Sequence, residues 1–149
     1  MMDQKIEEII QRDGFVLEMT VGDSMEPMLK NRQNPIVIER GTERPKKHDV
    51  VLYKRDSGQY VLHRIVKVRP NDYAIRGDNR LNTEYGVCDR HIIGVLKGYY
   101  IGERYVDCAT DKEYKRYVSS LKYKYLARKA KELFGRAMRK LGRIFTHNK

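Results

Sequence analysis

The stretch Phe15-Val16-Leu17-Glu18-Met19-Thr20-Val21 runs directly into Gly22-Asp23-Ser24-Met25-Glu26-Pro27-Met28-Leu29. Alternating apolar residues with β-branched and aromatic members give way to a cluster of turn formers, so a strand ends here in a tight loop. A serine held on such a loop presents its hydroxyl to solvent and its backbone N–H to a developing oxyanion, provided a base lies near it. Gly-Asp-Ser by itself is ordinary turn chemistry. Its meaning therefore rests on what the rest of the chain supplies.

Outward from this loop the short-period pattern continues. Residues Pro35 to Glu39, Asp49 to Lys54, Gln59 to Val68 and Tyr73 to Ile75 are short runs rich in Val, Ile and Tyr. Turn formers such as Arg55-Asp56-Ser57-Gly58 and Pro70-Asn71-Asp72 separate them, and they read as strands. The last such run, Ile92 to Asp107, carries Gly94, Gly98 and Gly102, which suits long strands bent at a barrel corner or a hairpin. Upstream, Gln4 to Gln11 place Ile6, Ile9 and Ile10 on one helical face ended by Asp13-Gly14. From about Thr110 the period is helical again. Tyr114, Tyr117, Val118, Leu121 and Tyr125 form one stripe, which Ala130, Leu133, Phe134, Ala137, Met138, Leu141, Ile144 and Phe145 are expected to continue, with Lys and Arg opposite. The fold class expected is mainly β: a short helix over 1–14, a small antiparallel β domain over 15–109 and a basic amphipathic helical tail over 110–149.

Composition supports one modest core, with 40% hydrophobic and 34% charged residues in a chain of 149. Charge is uneven. Residues 1–110 hold 18 Lys and Arg against 17 Asp and Glu, whereas residues 111–149 hold 13 against 3, so nearly all of the net +11 sits on the tail. Whatever the tail binds should be acidic. Cys88 and Cys108 lack CxxC spacing and read as ordinary reduced thiols, with no disulfide framework, metal site or cofactor expected. No apolar run approaches the roughly 18 residues of a spanning helix. The acidic amphipathic start is unlike a secretory signal, which makes the cytoplasm the expected address.

A base candidate lies in Val61-Leu62-His63-Arg64-Ile65-Val66-Lys67-Val68, where a histidine interrupts a strand of β formers. Imidazole accepts a hydroxyl proton near neutral pH. An isolated histidine on a half-buried strand is more ordinarily structural, so the pairing with Ser24 is what gives it interest.

Five segments in order, Gly22 to Pro27, Lys47 to Tyr53, Tyr60 to Val66, Arg76-Gly77-Asp78-Asn79-Arg80 and His91 to Val95, resemble the signal peptidase I superfamily over about residues 15–100. The resemblance implies Ser24 as nucleophile. It implies His63 as general base, at the position where bacterial enzymes carry Lys and the endoplasmic-reticulum and archaeal type carries His. Lys67, four residues along, misses that position. The resemblance places the orienting acid after the Gly-Asp-Asn segment, where this chain has Glu84 in place of the usual Asp; Asp78 is the equal alternative and Asp89 a distant third. Met25 and Pro27, beside the nucleophile, are expected to contact substrate. Gly22 removes the hydroxyl that many signal peptidases offer the oxyanion, leaving backbone N–H groups, Ser24 first. The Gly-Asp-Ser-Met form is also similar to the self-cleaving domains of SOS-response repressors, which use Lys as base.

The function implied is a serine endopeptidase of signal-peptidase type that cuts a leader or precursor peptide. The alternative is a non-catalytic or self-cleaving regulatory β domain whose basic helix binds membrane or nucleic acid, although no DNA-binding domain is evident upstream of Ser24. Signal peptidases of this kind usually carry a spanning helix, and none is read here. The tail, residues 111–149, is expected to pack on the β domain, to lie peripherally on an anionic membrane surface or, ranked last, to meet nucleic acid or an acidic protein.

Overall fold

The structure, a computed structural model, describes residues 6–146. It is mainly antiparallel β, with helix α1 (Ile6–Asp13) before the strands and helix α2 (Lys112–Thr146) after them. The strands are β1 (Phe15–Met19), β2 (Pro35–Glu39), β3 (Val50–Lys54), β4 (Tyr60–Val68), β5 (Tyr73–Arg76), β6 (Glu84–Val87), β7 (Ile92–Ile101) and β8 (Arg104–Asp107). They form one sheet in the order β1-β2-β7-β3-β4-β5-β6, with β8 also on β7. Every pairing is antiparallel.

The long β7 is the spine, because it pairs with β2, β3 and β8 along its ten residues. Its glycines serve the close approaches that such a strand needs. A Cβ on Gly98 would meet the Tyr105 ring and the Val106 carbonyl oxygen at 2.5 Å or less. Only glycine lets β8 fold back there, and the expected hairpin is present.

Strand β3 is buried from Val50 through Tyr53, so its sequence reads as continuously apolar rather than alternating. It divides two clusters. One joins α1, β2, Met25, Met28 and Leu29 of the Ser24 loop, and Tyr114 of α2; the other joins Val51, Tyr53, Ile65, Tyr73, Ile75 and Val87. Each buried Leu or Met side chain contributes about 1.5–3 kcal/mol, and the Ser24 loop is held by three such anchors, Met25, Met28 and Leu29.

The structure departs from the sequence reading in three places. Strand β1 stops at Met19, because Thr20 turns its N–H to the Asn34 carbonyl and its hydroxyl to the Lys30 carbonyl. Strand β6 was not expected: Glu-Tyr-Gly-Val carries Gly86 at φ 81°, and its pairing with β5 is irregular. Helix α1 ends at Asp13, as the Asp13-Gly14 signal implies, and Gln4 and Lys5 lie outside the described residues. The third departure is in α2. Its start is capped by Asp111, whose carboxylate accepts the Tyr114 N–H at 2.8 Å. Tyr114, Tyr117, Val118, Leu121 and Tyr125 face the β domain, and Arg128 donates to the carbonyls of Asp78 and Asn79. Beyond that point the apolar residues do not continue this stripe. At about 3.6 residues per turn, Leu126, Leu133, Phe134, Leu141, Ile144 and Phe145 fall on the opposite side of the helix, and all are exposed.

Candidate active site

Ser24 sits half-buried in the loop after β1. Gly22 takes φ 89° and donates its N–H to Asn31 Oδ1 at 2.9 Å, which turns the chain toward Ser24. Met25, Met28 and Leu29 then root the loop in the core. The turn after β5 holds it from the other side. Asn79 donates its N–H to the Ser24 carbonyl at 2.8 Å and its side-chain amide to the Asp23 carbonyl at 3.1 Å, while Arg80 pairs with the Asp23 carboxylate.

Gly77 explains why that turn begins with glycine. A Cβ there would lie 2.6 Å from the Ser24 carbonyl oxygen and 3.1 Å from His63 Nε2. The Ser24 backbone and the imidazole nitrogen thus converge on one small space that must be left empty. Ser24 and His63 line one open cleft with Met19, Val21, Met25, Leu62 and Arg80. Among the described residues the Ser24 N–H has no hydrogen-bond acceptor, so it remains available to an oxyanion.

Strand register positions His63. Val51 of β3 faces His63 of β4 and Tyr53 faces Val61, so Tyr53 and His63 are diagonal neighbours on one face. His63 Nδ1 lies 3.4 Å from the Tyr53 hydroxyl oxygen. Tyr53 donates its only hydroxyl hydrogen to Glu84 Oε2 at 2.7 Å. The tyrosine oxygen can then only accept from the imidazole. Neutral His63 therefore carries its proton on Nδ1 and keeps a lone pair on Nε2, the nitrogen on the Gly77 side, in the cleft that Ser24 also lines.

Arg55 grips Glu84 with two bonds, 2.9 Å to Oε1 and 2.6 Å to Oε2, and these hold the carboxyl below its ordinary range. Burial pushes His63 down to about 4, with the Glu84 charge opposing it and Arg55 adding to it. Burial and the bond to Glu84 raise Tyr53, which stays a donor. The imidazole is neutral, correctly tautomeric and accepting throughout the neutral range.

The other residues singled out in the sequence fall elsewhere. Asp78 gives both carboxylate oxygens to Arg64 at 2.8 Å and accepts the Tyr117 hydroxyl at 3.0 Å. That carboxylate is committed behind the site, and Glu84 is the acid on the His63 side, reached through Tyr53. Met25 lines the cleft from a buried position. Pro27 does not: it is exposed and lines a separate depression with Tyr99, Ile101 and Arg104, because the loop turns away after Met25. A bulge between Ile65 and Lys67 shifts the β4 register, and Lys67 is exposed outside the cleft. Asp89 pairs with Tyr73 and Arg44. Sequence reasoning missed Tyr53, Arg55 and Arg80. The spacing Tyr53-x-Arg55 was a usable signal, since alternate residues leaving β3 share one side.

No protein-family model matches the chain, and no curated protein matches it. Among the described residues, no helix is long and apolar enough to cross a membrane. No group of three or more His, Cys, Asp or Glu among them could hold a metal ion, and Cys88 and Cys108 are free.

Proposed function

We propose that the protein is a serine endopeptidase of signal-peptidase type, acting on a leader or precursor peptide, with Ser24 as nucleophile and His63 as general base. The observation that carries this reading is the placement of His63, whose Nδ1 faces the Tyr53 hydroxyl while its Nε2 faces the Gly77 turn that also packs on the Ser24 backbone, in the cleft that Ser24 lines. Nε2 takes the Ser24 hydroxyl proton as Oγ attacks the scissile carbonyl carbon, and the Ser24 N–H meets the oxyanion. Nδ1–H donates to Tyr53 while the ring is cationic, and the negative charge of Glu84 stabilises that cation. Nε2–H then protonates the leaving amine as the C–N bond breaks, and water activated by the same nitrogen hydrolyses the acyl-Ser24 ester. The ordered segments shared with the signal peptidase I superfamily support the same assignment.

The test is to incubate the purified protein, Ser24→Ala and His63→Ala with a library of short peptides and to identify products by mass spectrometry. Cleavage by the wild type alone is expected, with both variants folded. Turnover in either variant, or none by the wild type with and without anionic vesicles, overturns the reading.

A further inference from the structure

The switch of faces along α2 asks for a partner. The half from Lys112 to Arg128 is docked through Tyr114, Tyr117, Leu121, Tyr125 and Arg128. The half beyond it leaves a row of large apolar side chains in water, with Phe134 69% and Phe145 78% exposed. This row lies on the side of the helix turned away from the β domain, and Tyr123, 74% exposed, begins it. Lysines flank it: Lys124 and Lys131 fall to one side, Lys129 and Lys140 to the other. From residue 126 to 146 the only acid is Glu132, which is paired with Arg136.

We infer that the distal half of α2 lies flat on an anionic lipid bilayer, apolar row in the acyl boundary, flanking lysines at the headgroups and the β domain on the water side. Three features select this occupant. An apolar face of about five turns, flanked by lysines whose ammonium groups can extend to the headgroups, is the pattern of an interfacial helix. A second copy would bring two basic flanks together with no acid to offset them. Nucleic acid or an acidic peptide would meet the cations and leave the aromatic and aliphatic row in water. The inference goes beyond the peptidase reading and does not depend on it, since lipid binding is read without turnover.

The chain has no tryptophan, so Phe134→Trp adds one reporter that is excited apart from the tyrosines. With the full chain, vesicles of phosphatidylglycerol and phosphatidylcholine should blue-shift its emission and cosediment with it. Binding to phosphatidylcholine alone should be weaker by about tenfold or more, and added salt should weaken the anionic case. Lys129→Gln and Lys140→Gln should each cost about fivefold in affinity, and Leu141→Glu about tenfold or more, with unchanged circular dichroism. Absence of cosedimentation at low salt overturns the inference. So does emission already blue-shifted without vesicles together with a mass that rises with concentration, which would mean self-association, and so does binding to duplex nucleic acid without binding to vesicles.

Discussion

Two arginine–carboxylate pairs stand on either side of His63 and do different work. Arg64 and Asp78 are 2% and 3% exposed, bonded through both carboxylate oxygens and sealed by Tyr114 and Tyr117 from α2. Arg55 and Glu84 are bonded just as directly, yet both remain about one-third exposed, and the carboxylate reaches toward the imidazole through Tyr53. The chemistry of the two pairs is the same; burial and the third partner differ. In the first pair the third partners belong to a helix, which makes it a clamp between the Gly77 turn and α2. In the second the third partner is a hydroxyl beside the His63 imidazole, which makes it an electrostatic support for that ring.

The largest effect should come from breaking the clamp. Asp78→Ala leaves the Arg64 guanidinium buried without a counter-charge, and loss of one member of a buried pair costs about 3–5 kcal/mol. Urea unfolding should show that loss, whereas Glu84→Ala, in a pair that water already screens, should cost about 1 kcal/mol or less. A comparable loss in both variants would erase the distinction between the two pairs.

The next effect is on rate. Tyr53→Phe removes the oxygen that accepts from Nδ1, and Glu84→Gln removes the charge behind it. Each should lower kcat by about tenfold, the worth of one hydrogen bond in orienting the imidazole. KM should change little, because neither group lines the cleft. Peptide turnover at saturating substrate is the measurement, and a KM effect without a kcat effect would move both residues from the base to the substrate.

Much of this arrangement was legible in the sequence, for identifiable reasons. Short runs of Val, Ile and Tyr between turn formers located most of the strands, and the order of segments singled out Ser24 and His63. What was not legible depends on three-dimensional placement. Glu84 and Asp78 are both acids near one loop in sequence, and only the fold shows that one faces Arg64 and the other Tyr53. Tyr53 closes the apolar run of β3 and looked like core, which it also is. The α2 stripe misled because the residues on either side of Leu126 keep helical spacing while their phase shifts by half a turn. Pro27 sits three residues from Ser24, and the loop carries it round to another face.

The smallest effect is on pH dependence, and it sharpens the comparison most directly. His63 is held near about 4 by burial, below the ordinary value of 6.5 that it regains on unfolding. Between these values the unfolded chain takes up a proton that the fold refuses, so His63 costs stability as pH falls through that window and has no effect above it. With His63 as the proposed base, the acid limb of kcat/KM should accordingly fall well below pH 6.5, nearer 4. Glu84 raises His63 while Arg55 lowers it, so Glu84→Gln leaves the Arg55 charge uncompensated and should move the limb to still lower pH. Asp78→Asn should move it less, because the Asp78 charge raises the imidazole less than that of Glu84 does and is matched by Arg64. A limb that stays at 6.5, or that shifts more with Asp78→Asn than with Glu84→Gln, would place the working carboxylate in the clamp instead.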